Sequence, residues 1–188
     1  MKKLFDSMPN LTSQNVSLRG LTIADVENLK KMLQCADTYR YVPPFVPELQ
    51  CNGNLEYYIN TICKELFDKK NKIILGIYSK SCNDQLCGIF ELYHYIPEER
   101  KVSIGYRLNK DFWNKGITSE ATSLIINYLF TQTEITTISS SNMIVNPASG
   151  RVLEKTGFSK ISEGVFEDWG FSQDVCVDKW ILKKINKD

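Results

Sequence analysis

Three groups of residues in this sequence could do chemistry. The first is the run Phe112-Trp113-Asn114-Lys115-Gly116-Ile117-Thr118-Ser119-Glu120-Ala121, which leads from strand-like residues into a helical pattern. Backbone N–H groups at such a helix start, with Gly116 letting the chain approach closely, form an anion site that suits a pyrophosphate. A single glycine is equally what a plain strand-to-helix connection carries, and the run matches neither a phosphate loop ending in Gly-Lys-Ser/Thr nor a three-glycine dinucleotide fingerprint. The second is Asn146-Pro147-Ala148-Ser149 and the nine residues after it, which place Ser149 in the first turn of a helix, where a serine is ordinarily a cap. The third is a set of titratable side chains. Glu91 lies between apolar Phe90 and Leu92 and projects to the opposite face of its strand, as a proton acceptor if buried and as a solvated carboxylate otherwise. An imidazole is a residue type that transfers protons, but His94 sits near a strand end before Pro97, where a structural or surface imidazole is the simpler reading. Glu163, Glu167 and Asp168 flank the last hairpin as substrate contacts or as edge charges.

The elements that must position these groups follow from periodicity. Val16 to Arg19 reads as a strand, and Thr22 with Asp25 three residues on marks a helix start continued by Val26, Leu29 and Leu33. The proline-rich loop from Tyr41 to Asn54 separates this from a second amphipathic segment carrying Leu55, Tyr58, Ile59, Ile62 and Leu66. Lys72 to Ser79, Leu86 to Tyr95 and Lys101 to Asn109 form an antiparallel meander, and a helix from Ser119 carries Ala121, Leu124, Ile125, Tyr128 and Leu129 on one face. A strand near Ile135 to Ser141, a helix from Pro147 to Thr156 stopped by Gly157, and a hairpin of Phe158 to Phe166 with Val175 to Leu182 around Trp169-Gly170 complete the order. The result is a mixed α/β sheet containing a right-handed β-α-β crossover.

With 188 residues, 43% of them hydrophobic, the chain suits one cored domain over residues 1–188, its core at about 16–182 between a polar arm (1–15) and a frayed tail (183–188). Lys and Arg number 23 against 22 acidic residues, so no global field favours nucleic acid or an anionic membrane. The N-terminal stretch lacks an apolar signal-peptide core, and the apolar runs fall short of the roughly 18–20 residues of a membrane span, so a soluble, cytoplasmic protein is expected. Six scattered cysteines without a Cys-x-x-Cys pair read as reduced, mostly buried small apolar residues, and the single histidine leaves too few ligands for a familiar zinc site; no metal is expected.

Residues Asn146 to Phe158 resemble the N-x-x-S-x-x-V-L-E-K-x-G-F signature of the GNAT superfamily of N-acetyltransferases, and the turn from Trp113 to Ala121 is similar to its coenzyme A pyrophosphate turn in the W-G-K-G-x-A-T-E-A version of the RimJ/RimL branch. Leu18-Arg19 with Asp25, Ile104-Gly105-Tyr106, and the Glu163 to Asp178 hairpin resemble further segments in the same order, so that residues 16 to 182 are covered.

The resemblance implies the GNAT fold, a mostly antiparallel sheet with a splayed parallel strand pair, and transfer of an acetyl group from acetyl-CoA to an amine. Backbone groups of Tyr106 and Leu108 would hold the pantetheine arm, and Asn114, Lys115, Gly116, Ile117, Thr118 and Ser119 the pyrophosphate. Asn146 and Ser149 would lie near the thioester, with Ser149 as acid for the leaving thiolate and Glu91 as base, while Glu167, Asp168 and Trp169 would border the acceptor. The acceptor is a protein N-terminal α-amine or a small-molecule amine, and a homodimer is compatible with the family. This chain also departs from the family's pattern: Ser103 stands where an acid is common, Leu153 where many members carry tyrosine, and Asn114 and Thr118 where glycine and alanine are usual. Ser103 and Leu153 keep open a catalytically weak acyl-CoA-binding or interaction module, and a structural domain with accidental motif matches is the third reading.

Overall fold

The computed structural model describes residues 2–185. Near-continuous apolar runs make the central strands: β3 (Lys72–Ser79) is buried along both faces except at its first residue, as a strand flanked by neighbours and covered by helices must be. Around it lie β1 (Leu11–Thr12), β2 (Val16–Arg19), β4 (Gln85–Ile96), β5 (Lys101–Leu108), β6 (Thr137–Met143), β7 (Ser159–Glu167) and β8 (Val175–Lys183), in the order β1-β2-β3-β4-β5-β6-β8-β7. All pairs are antiparallel except β5 with β6, joined by helix α6 (Ile117–Gln132) as the expected crossover.

One face of the sheet packs α6 and α7 (Pro147–Lys155) over Ile73, Leu75, Phe90, Leu92, Val102 and Ile104. The other packs α1 (Val26–Gln34), the short α2 (Ala36–Tyr39) and α3 (Pro47–Gln50), and α4 (Leu55–Tyr57), which passes through a π-turn into α5 (Cys63–Asp68). The Thr22–Asp25 box forms as expected: Asp25 accepts from Thr22 N at 2.7 Å and also from the buried Tyr78 hydroxyl at 2.8 Å.

The two chain ends differ from expectation. Leu4 and Phe5 enter the core beneath α6, and Lys2 N bonds Gln132 O, so the N-terminal arm is part of the fold from its first described residues. At the other end Lys183 closes β8 and Lys184 N bonds Thr136 O. Residue 1 and the tail residues 186–188 lie outside the described residues. Helix α6 begins at Ile117, two residues before the expected start, because Gly116 at φ +75° already turns the chain into it. Of the six free thiols only Cys87 is fully buried; the other five are half-buried.

Candidate active site

The parallel pair β5/β6 is a pair for three residues only: Lys101–Thr137, Val102–Ile138 and Ser103–Ser139. Beyond them β5 continues beside β4 and β6 beside β8, so the two strands part and leave main-chain groups along the gap without a strand partner. Small hydroxyls mark the fork. Ser103 and Ser139 share a hydrogen bond of 2.9 Å, and Ser140 Oγ donates to Ile104 O at 3.0 Å. Alternation then sorts the side chains of β5: Tyr106 points toward α7, and Ser103 and Arg107 toward the α1–α5 side.

A cavity of about 920 Å³ opens on this fork. It brings together Glu91, Tyr106, Asn146, Ser149, Glu167, Asp168 and Trp169 from the expected site, under a roof of Tyr41, Pro43 and Phe45 from the proline-rich loop. On its α7 side Asn146 caps the helix, its side chain accepting from Ser149 N at 3.3 Å, and the Tyr106 hydroxyl lies 3.2 Å from both the carbonyl and the Oγ of Ser149. The buried Asn142 fixes this corner by donating to the carbonyls of Met143 and Asn146 and accepting from Trp180 Nε1 at 2.6 Å. Leu153, one turn along, is fully buried in the core.

Glu91 takes a different place from the free base expected of it. Its carboxylate accepts from Arg107 at 2.9 Å and from Lys72 at 3.0 Å, and Arg107 is also ion-paired with Glu48 of α3. Burial alone would raise the Glu91 carboxyl, but the two cations outweigh it and hold its pKa below the usual carboxylate range. A carboxylate so held has little appetite for an amine proton. Glu48 is fully buried, and that burial raises its pKa against the pull of Arg107. The four side chains form a charged row under the cavity that ties the proline-rich loop to the sheet.

At the rim, Trp169 Nε1 donates to Glu167 at 2.9 Å and Lys179 pairs with the same carboxylate. Partial burial would raise Glu167, yet these two partners, helped by the charge of His94, lower it. Asp168 accepts from Gly170 N at 2.7 Å and so shapes the turn. His94 lines the cavity with a left-handed backbone, φ +49°, where the β4–β5 register breaks.

The turn from Asn114 to Ser119 lies outside the cavity lining, beyond the open end of β5. Asn114 and Gly116 both have positive φ, +60° and +75°; asparagine tolerates that region, which accounts for its standing where glycine is usual. The exposed Lys115 ammonium donates to Asp111 O at 2.8 Å. Of the Leu108 backbone groups expected to hold the pantetheine arm, the carbonyl accepts from Trp113 Nε1 at 2.7 Å.

Sequence reasoning missed Arg107, Glu48, Lys72, Asn142 and the Tyr106 hydroxyl. Arg107 alone carried a signal: like Glu91 it is a charge flanked by apolar neighbours on a strand, and pairing the strands puts both on one face. Nothing near Glu48 distinguished it from any loop carboxylate.

Residues 15–159 match the acetyltransferase (GNAT) domain family. The chain belongs to the GNAT acetyltransferase family. This acetyltransferase is 33% identical over 126 residues to Probable N-acetyltransferase YjcK of Bacillus subtilis (strain 168), covering 66% of this chain and 68% of that one. In fold it is similar to RimL, a ribosomal L7/L12 alpha-N-protein acetyltransferase solved with coenzyme A, with a TM-score of 0.79 and 14% identity over 93% of this chain and 98% of that chain. It is likewise similar to spermidine N-acetyltransferase of Vibrio cholerae solved with coenzyme A and spermine, with a TM-score of 0.72 and 16% identity over 91% and 96% of the two chains. The eight-stranded, mostly antiparallel sheet with its parted parallel pair is the GNAT fold. The family uses acetyl-CoA. Among the described residues, no helix is long and apolar enough to cross a membrane.

Proposed function

We propose that this acetyltransferase moves an acetyl group from acetyl-CoA to a single primary amine, with the α-amine of an unblocked peptide as the acceptor class. The observation that carries the reading is the parting of β5 and β6 after Ser103 and Ser139, with the cavity opening on the fork. The free main-chain edges beyond the fork suit the amides of a pantetheine arm, and the N–H groups of Asn114 to Ser119 at the start of α6 suit a pyrophosphate. Bound there, acetyl-CoA supplies an activated thioester carbonyl at the fork. In this reading main-chain N–H groups of β5 would receive the charge that develops on its oxygen, and the Ser149 hydroxyl would serve the leaving sulfur.

The acceptor class rests on charge. Lys72, Lys101, Arg107 and Lys179 line the cavity against Glu91, Glu167 and Asp168, and Glu91 and Glu167 are already paired. A polycation would find no surplus of carboxylate, whereas one ammonium can lie beside Asp168 and give its proton to water. Trp169, Phe45 and Tyr41 offer the next residues of a peptide an apolar rim.

The test is incubation with acetyl-CoA and either an unblocked peptide, its N-acetylated twin, or spermidine, followed by mass spectrometry and thiol release. Acetylation of the free peptide alone is expected. Turnover of spermidine in preference to the peptide contradicts the acceptor class. Coenzyme binding without turnover on any amine favours the module reading suggested by Ser103 and Leu153.

A further inference from the structure

The hydroxyl of the half-buried Tyr106 lies in the wall of the fork beside Ser149. Its ring packs against Phe90 at 5.9 Å between centroids, and its oxygen reaches the first turn of α7, 3.2 Å from Ser149 O and 3.2 Å from Ser149 Oγ. Two acceptors thus compete for one phenolic proton. When it goes to the carbonyl, Ser149 can turn its own hydrogen back onto the tyrosine oxygen. When it goes to Oγ, the Ser149 hydrogen is released to point elsewhere, and the remaining open side of that hydroxyl is the cavity.

We infer that Tyr106 is a positioning residue: by donating to Ser149 Oγ it turns the serine hydrogen into the fork, where that hydrogen stabilises the sulfur of the departing coenzyme. The inference rests on the coenzyme site proposed above and adds a residue to it. The electron accounting is simple. The amine nitrogen's lone pair forms the new C–N bond, the C–S pair leaves on sulfur, the amine's surplus proton goes to water, and the sulfur takes a proton from water on release. Ser149 and Tyr106 keep their protons throughout. Burial raises the phenol above its ordinary pKa of 10.0, with the Ser149 hydrogen bond pulling the other way and no ionised neighbour among the described residues contributing. A thiol ionises near about 8.5, so complete proton transfer from this phenol to the sulfur runs uphill, and hydrogen-bond donation is what remains. Leu153, fully buried in the core, has no donor to offer in its place.

The experiment titrates the thiol of coenzyme A itself, bound to the protein, by thiolate ultraviolet absorbance, so no acceptor is needed. Donation to a charged sulfur lowers its pKa. The bound thiol is therefore expected to ionise about 0.5–1 unit higher in Tyr106→Phe than in the wild type, with coenzyme affinity changed less than about twofold, since the ring and its packing remain. Ser149→Ala should raise the thiol pKa at least as far, and the double variant no further than Ser149→Ala. An unchanged thiol pKa in Tyr106→Phe overturns the inference while leaving the coenzyme site standing. A Tyr106→Phe shift that persists undiminished in the Ser149→Ala background also overturns it, because Tyr106 would then touch the sulfur directly. Failure of the wild type to bind coenzyme A removes the site and the inference together.

Discussion

Replacing Arg107 by methionine tests the charged row beneath the cavity. The Arg107 side chain is 3% exposed and its partners Glu48 and Glu91 are 0% and 7% exposed, so methionine fills much of the volume while stranding the buried Glu48 carboxylate and leaving Glu91 with Lys72 alone. Removing one partner of a buried ion pair costs about 3–5 kcal/mol. In a domain of this size each kcal/mol is worth about 2–4 °C, so thermal unfolding at neutral pH should start from a midpoint lowered by about 6–20 °C. The pH dependence gives the second half of the test. Without the guanidinium, nothing offsets the burial that already raises the Glu48 carboxyl above the ordinary 4.5, and a group whose folded pKa is raised costs stability above that pKa and ceases to do so below the unfolded value. The gap between wild type and variant should therefore narrow as pH falls from about 8 to about 5. A loss smaller than about 2 °C, or one that stays constant across that range, refutes the reasoning.

The remaining predictions probe other parts of the molecule. Glu91→Gln should destabilise the protein at neutral pH, and because the folded pKa of Glu91 is lowered, the difference from wild type should fade as pH drops below the ordinary 4.5, read by denaturant unfolding at several pH values. Leu4→Ala should cost about 2–5 kcal/mol in the same assay; a loss below about 0.5 kcal/mol is what an unattached arm would give. Trp169→Ala should raise the KM for an unblocked peptide several-fold while leaving acetyl-CoA affinity unchanged, since the indole borders the acceptor side of the cavity and holds Glu167.

Much of the fold was legible because its signals are local. The β3 run, the Thr22–Asp25 box and the helix that starts at Pro147 and stops before Gly157 each carry their own local signals. The arm was misjudged because Leu4 and Phe5 are two apolar residues in a polar stretch, and only tertiary packing beneath α6 gives them a place. Glu91 shows the same limit at the site. Its alternation predicted which way it points, but its role depends on Arg107 and Lys72 on the two neighbouring strands β5 and β3 and on Glu48 of α3. Asn114 shows the reverse: a departure from the family's pattern that the backbone angle explains once it is seen.

The most direct test of the coenzyme site at the β5/β6 fork is calorimetric titration of the protein with acetyl-CoA, beside Gly116→Val. The valine meets open space, so its effect comes from the φ of +75° that a β-branched residue resists, which disturbs the run of N–H groups before α6. The account predicts saturable binding by the wild type, loss of at least about tenfold in affinity by the variant, and a folded variant by thermal unfolding. Equal binding by the two proteins would contradict the placement of the pyrophosphate, and no binding or thermal stabilisation of the wild type at saturating ligand would contradict the account as a whole.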